Sequence, residues 1–206
     1  MKKFELTSEF VTFLGKKLFR IKALVAFGDV EEGELGGFVE KEENLDQSGN
    51  AWVSGDARVS GDAWVSGDAW VSGNARVSGN AWVSGDARVS GDAQVYGNAW
   101  VSGNARVSGN AWVSGDAQVS GDARVYGNAW VQCCRDYSAA SCFGSEDRTT
   151  TFFRTKDGGI GVRCGCFYGT LDEFREKVKE RHGDRRLAKE YLMLADLMEF
   201  RLSKDE

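Results

Sequence analysis

Proline is entirely absent from this chain of 206 residues, and histidine occurs once, at His182. Without proline every backbone N–H remains a donor, which suits a chain whose strands pair along their whole length. No apolar run approaches the length of a membrane span or a secretory h-region, so no membrane partner is expected. The opening Met1-Lys2-Lys3-Phe4-Glu5-Leu6 is charged where a secretory leader is not, and the expectation is a cytoplasmic protein. The chain also lacks a Gly-x-Ser-x-Gly elbow, a phosphate loop and a dinucleotide fingerprint, which excludes the common nucleophile and nucleotide motifs. Its net charge of −5 excludes a general bias toward polyanions and leaves positive charge as a local matter. Of the five cysteines, Cys133, Cys134, Cys142, Cys164 and Cys166, no pair has the spacing of a zinc ribbon or finger. Structural roles are expected for them, with no metal and no cofactor.

What the chain has is repetition. Fourteen hexapeptides of the form Gly-Asn/Asp-Ala-x-Val-Ser run unbroken over residues 49–132. A fixed short period is the signature of a parallel β-helix. Ala and Val stand two apart, so both point to one side of an extended segment and the residue between them to the other. Val is a stiff β-branched core residue, Ala fits a narrow interior, and Gly with Asn or Asp is corner chemistry. Read from Val, the order aliphatic-x-x-x-small-x resembles the left-handed β-helix of hexapeptide-repeat proteins. One departure is the Ser or Tyr after Val, where that family carries Gly or an acidic residue. The resemblance implies a left-handed three-sided prism with three hexads per coil, coils about 4.8 Å apart, and about 4.7 coils from fourteen hexads. It also implies side-by-side packing of prisms in threes.

Three hexads per coil turn the variable position into three outward ladders. These are Trp52, Trp70, Arg88, Arg106, Arg124; then Arg58, Arg76, Gln94, Trp112, Trp130; then Trp64, Trp82, Trp100, Gln118. All seven tryptophans sit at this one position. If the ladders only pack, like residues stack from coil to coil and Arg lies over Trp for about 0.5–1 kcal/mol per pair. If they bind, runs of exposed Trp and Arg are the side chains that anchor interfaces. The Trp and Arg members are therefore the candidate binding residues. Asp and Asn alternate at the corners, which points to turn geometry, with charge incidental.

The flanks differ. Residues 1–48 read as an N-terminal cap containing a hairpin, Phe10–Leu14 against Leu18–Ala23 around Gly15-Lys16. This segment and the Gly-Asn-Ala-x-Val run after it resemble uncharacterised repeat proteins of bacteriophages and enterobacteria. Residues 133–206 read as a β-hairpin plus two helices. Lys156-Asp157-Gly158-Gly159 is the hairpin turn, and Thr170-Leu171-Asp172-Glu173 is a capping box that opens a helix ended by Gly183. A second helix carries the stripe Leu187, Tyr191, Leu194 and Met198. The string Cys164-Gly165-Cys166-Phe167-Tyr168-Gly169-Thr170-Leu171-Asp172-Glu173-Phe174 resembles a tail domain of phage proteins, and implies provenance without naming a chemistry.

Three function classes follow. The first is a non-enzymatic phage or prophage binding or assembly protein, acting in the host bacterial cytoplasm through its Trp/Arg ladders and its tail domain, on a protein partner such as a host factor or by self-association, for example as a trimer. The second is a binder of nucleotides or single-stranded nucleic acid, for example a sponge for a host signalling nucleotide, because Arg beside aromatic rings is the device for stacked bases. The third is an acyltransferase. It is disfavoured, since the left-handed β-helix enzymes use a histidine base and an excluded loop, whereas His182 lies at a helix end and no loop interrupts the hexads. No catalytic residue is expected.

Overall fold

A computed structural model describes residues 2–144 and 146–203; Met1, Ser145 and residues 204–206 lie outside the described residues. The six-residue period becomes fourteen two-residue strands, β4–β17, from Trp52–Val53 to Trp130–Val131. β4–β14 each pair in parallel with the strand eighteen residues on, Trp52 with Trp70 and Val53 with Val71 at one end, Trp112 with Trp130 at the other. The result is a mainly-β parallel solenoid of about five turns, built of three sheets. Successive coils are joined through the backbone: Trp70 N–H donates to Ala87 at 2.9 Å and Ser72 N–H to Val89 at 2.9 Å. A proline at such positions would delete a rung of this ladder.

The interior is the alternation read from the sequence. Every repeat Val from Val53 to Val131 is fully buried, as is every repeat Ala. Corners need glycine for two reasons at once, as Gly85 shows. Its φ is +66°, and a Cβ there would stand 3.0 Å from the backbone nitrogen of Gly103 in the next coil.

At the N-terminal end, β1 (Phe4–Phe13) and β2 (Lys16–Ala23) form an antiparallel hairpin. Leu14 and Gly15 turn it with positive φ, 49° and 78°, the geometry of a tight hairpin. Strand β3 (Leu35–Val39) pairs antiparallel with β2 and parallel with the strand of Arg58, so the hairpin extends one solenoid sheet to eight strands. Phe4, Ile21, Val39 and Leu45 continue the Val/Ala core.

The C-terminal region holds more strand than the expected hairpin. β18 (Tyr137–Phe143), β19 (Arg148–Arg154), β20 (Ile160–Cys164) and β21 (Phe167–Thr170) make an antiparallel four-stranded sheet in chain order. The helices α1 (Leu171–His182) and α2 (Arg186–Leu202) pack on it. Thr170 caps α1 through the anticipated capping box, and Gly183 closes it. Leu171, Phe174, Val178, Tyr191, Leu194 and Met198 form a second core with Phe152 and Val162, whereas Leu187 is only half-buried. Phe153 points the other way and joins the solenoid core. Arg124 N–H donates to Thr151 Oγ1 at 2.9 Å, so the sheet is bonded to the last coil.

Candidate functional site

The three sheets place the ladder side chains on three faces, and the faces differ in what they leave free. On the first ladder, Trp52 contradicts the expectation that every tryptophan points to solvent. It is fully buried, with Phe27 edge-on at 5.4 Å. Gly36 leaves the room that Trp52 fills, since a Cβ there would stand 2.7 Å from its ring. The residues before the first coil fold over this end, so Trp52 is core and no part of a surface. Its buried indole N–H finds no hydrogen-bond acceptor among the described residues.

The third ladder is the most exposed. Trp64, Trp82 and Trp100 keep 37–39% of their surface open. Trp64 stacks on Trp82 with ring centroids 5.1 Å apart, and Trp82 on Trp100 at 5.0 Å. Trp82 donates its indole N–H to Ser66 and Trp100 to Ser84, sixteen residues back. Trp70 does the same to Ser54. Three of the serines that follow a valine, Ser54, Ser66 and Ser84, thus have a structural use: each anchors an indole of the next coil. The facing ring surfaces and the N–H groups of Trp82 and Trp100 are consumed within the ladder, and the ring edges reach solvent as a ribbed apolar strip.

On the second ladder the expected Arg-over-Trp stacking does not form. Its arginines and tryptophans are separated by Gln94, and the guanidinium groups of Arg58 and Arg76 lie instead over Phe13 of the hairpin, at 5.1 and 4.9 Å. Trp112 and Trp130 stack at 4.6 Å. Tyr96 meets Trp112 edge-on at 5.7 Å, and the Lys156 ammonium lies 5.9 Å from the same ring. Both tryptophans are half-buried and line a hollow of about 330 Å³ with Asp92, Asn110 and Lys156.

Arg88, Arg106 and Arg124 continue the first ladder beyond Trp70. All three are exposed, in parallel register, and none has a carboxylate partner among the described residues. They line a groove of about 600 Å³ with Ser72, Ser90 and Ser108. Two of its residues were not legible as site residues. Arg163, from β20, lies 5.2 Å over Tyr126 and donates to the carbonyls of Cys166 and Phe167. Tyr126 carried a signal, because it interrupts the run of serines after valine.

Corner carboxylates do more than turn the chain. Asn50 donates to Asp68, Asn74 to Asp92, Asn98 to Asp116 and Asn104 to Asp122, all one coil on at 2.7–3.1 Å. Asn80 donates to the Asn98 amide oxygen in the same way at 3.0 Å, so the corner bond needs an oxygen acceptor and takes a neutral one as well as a charged one. Cys133, Cys134, Cys142 and Cys166 are exposed, while Cys164 is half-buried and accepts from Thr150 Oγ1. Among the described residues no three His, Cys, Asp or Glu side chains converge as metal ligands. His182 ends α1 and stacks on Tyr191 at 5.8 Å. No helix among the described residues is long and apolar enough to cross a membrane.

Five stretches of the chain match the YdcK beta solenoid repeat. They are residues 51–67, 69–85, 81–97, 99–115 and 117–132. Each spans close to one eighteen-residue coil, and together they cover the solenoid between the first and last repeat strands. No curated protein matches the chain. The similarity to YdcK repeats concerns the coils.

Proposed function

We propose that this protein is a non-enzymatic docking module whose partner is another protein, held on the strip of Trp64, Trp82 and Trp100. The observation that carries this reading is the stacking of three exposed indoles at 5.0–5.1 Å with their edges outward. Edges arranged this way offer an apolar ridge to a complementary surface, and Trp is the residue most enriched among interface anchors. Two coil steps make the strip roughly 10 Å tall. That is a hot spot rather than the roughly 800 Å² per partner of a standard interface, so a partner protein suits it better than an obligate trimer. A left-handed coil sense, a capping role for residues 1–48, an origin in a phage or prophage and a place in the bacterial cytoplasm belong to the same proposal. They rest on the resemblance of the repeat, of the lead-in and of residues 164–174.

The test is the triple variant Trp64→Gln, Trp82→Gln, Trp100→Gln, chosen because Gln118 already occupies this ladder. The variant should keep the circular dichroism of the fold and lose the partner that wild-type protein retains from bacterial lysate. Equal retention and equal solution mass in the two proteins would exclude the strip as a docking surface.

A further inference from the structure

We propose that the groove over Arg88, Arg106 and Arg124 binds a nucleoside polyphosphate, with its phosphates on the arginines and its base at Trp70. This site lies on a different face from the Trp64 strip and stands independently of the docking proposal.

The charge pattern comes first. Several arginines elsewhere in this acidic protein are ion-paired: Arg20 with Glu9, Arg154 with Asp136, and Arg175 with Asp172, Asp196 and Glu199. Arg58 and Arg76 are covered by Phe13. Arg88, Arg106 and Arg124 form a run of three guanidinium groups in adjacent coils, about 4.8 Å apart, none of them ion-paired among the described residues, with Asp122 and Asp147 lining the adjoining hollow beside Arg124. Such a run repels itself until an anion bridges it, and guanidinium groups bind phosphate through paired N–H donors. One anionic group would relieve one arginine; a chain of linked phosphates spans two or three.

The groove supplies the rest. Ser72, Ser90 and Ser108 place a hydroxyl beside the arginines coil by coil. Arg163 adds a fourth guanidinium at the C-terminal end, already positioned by two carbonyls and the Tyr126 ring. The opposite end changes sign. There Trp70 is half-buried, and Asp29 and Glu34 approach from the loop after Phe27, whose ring packs on Trp52. Carboxylates at that end repel phosphate and accept N–H donors. The groove is thus bipolar: anion at Arg88–Arg163, an aromatic wall at Trp70, acceptors at Asp29 and Glu34. A nucleobase with amino donors, linked to two or more phosphates, matches all three, whereas a uniform polyanion or an acidic peptide is opposed by the carboxylates. Its volume of about 600 Å³ lies within the range of small-molecule sites.

Calorimetric titration of the full chain with ATP, GTP, inorganic tripolyphosphate and an eight-nucleotide oligouridylate tests this directly. ATP or GTP should saturate one site per chain, and affinity should fall as salt rises. Tripolyphosphate should bind about tenfold more weakly, the worth of one stacked base. Arg88→Gln, Arg106→Gln, Arg124→Gln should abolish binding while keeping the fold, because Gln already stands at this position in Gln94 and Gln118. Trp70→Leu should bring ATP down to the affinity of tripolyphosphate. The triple Gln variant of Trp64, Trp82 and Trp100 should bind ATP as wild type does, which separates this site from the docking strip. Absence of saturable binding by either nucleotide, or binding that survives the arginine variant, overturns the proposal. Tighter binding of the oligouridylate than of ATP reassigns the groove to single-stranded RNA and overturns it as well.

Discussion

The indole rings of Trp82 and Trp100 lie 5.0 Å apart and 3° from parallel. Flat rings at that separation leave no gap for a third, so a nucleobase cannot insert between them. The aromatic-plus-arginine pattern that suggested base stacking therefore divides by face. The Trp64–Trp100 strip has no slot for a base between its rings, whereas no ring stacks on the arginines beyond Trp70.

Removing the middle ring tests the energetic side of this closure. Trp82→Gln breaks two aromatic contacts, each worth about 0.5–1.5 kcal/mol beyond buried area. It should lower stability by about 1–3 kcal/mol and leave the coil stack intact by circular dichroism. Denaturant melts of the variant check it. A loss above about 4 kcal/mol would mean that the strip belongs to the core.

Trp52 and Trp100 occupy the same position of the repeat but should respond very differently. Trp52 is fully buried against Phe27, whereas Trp100 is 39% exposed. Trp52→Gln should cost about 3–5 kcal/mol, the range for emptying a large aromatic site, and it buries an amide besides. Trp100→Gln should cost about 1 kcal/mol. Paired urea melts of the two variants give the comparison, and equal losses would contradict the burial of Trp52.

Much of the solenoid was legible because its period is a direct consequence of local chemistry. Val and Ala two apart, with Gly-Asn or Gly-Asp between hexads, leave few alternatives to stacked short strands, and Thr170 with Glu173 marks a helix start in any context. What escaped depended on contacts distant in the chain. Nothing near Trp52 says that Phe27 and Gly36 will enclose it. The sixteen-residue step from Trp82 to Ser66, and the eighteen-residue step from Asn104 to Asp122, appear only once the coils are stacked. β18 and β21 were missed because Ser138-Ala139-Ala140 and Gly169 carry little strand propensity, and pairing with β19 and β20 supplies it.

The corner bonds predict a charge effect at a single site. Asn104 Nδ2 donates to Asp122 Oδ1 at 3.1 Å. Asn104→Asp removes the donor and faces two carboxylates across one coil step, which is repulsive and screened by salt. The variant should melt a few degrees below wild type in low salt, with the gap narrowing in 1 M salt. A gap that salt does not change would assign the loss to turn geometry alone.

Val95 lies at the centre of the stack and is fully buried between Val77 and Val113. Val95→Asp puts a carboxylate into an interior with no partner for it, a cost of several kcal/mol. It should abolish the cooperative melt near neutral pH. Val95→Thr, nearly the same shape with one hydroxyl, should still fold and lose about 1–3 kcal/mol. If Val95→Asp melted like wild type, the inward orientation of the valine column would be wrong.

The last expectation concerns pH. The Lys3 side chain is buried beneath the first coil, where its ammonium donates to the carbonyls of Ser48, Gly49 and Ala51 and lies 4.8 Å from the Phe27 ring. Burial pushes it down from the ordinary 10.5 to about 8, while the charges of Asp46 and Asp68 pull the other way. Between those two values the unfolded chain holds the proton and the folded chain releases it. Stability therefore rises with pH across this window and is level, from this group, below about pH 8. Other lysines and tyrosines titrate nearby, so the measurement is a difference between wild type and Lys3→Met, by thermal melts from pH 7 to 10.5. At pH 7 the variant loses three carbonyl hydrogen bonds but no longer buries a charge. Above pH 8 the melting temperature of wild type should climb relative to the variant. A difference that stays flat, or that runs downward with pH, would show that the carbonyl bonds hold the ammonium charged and outweigh its burial.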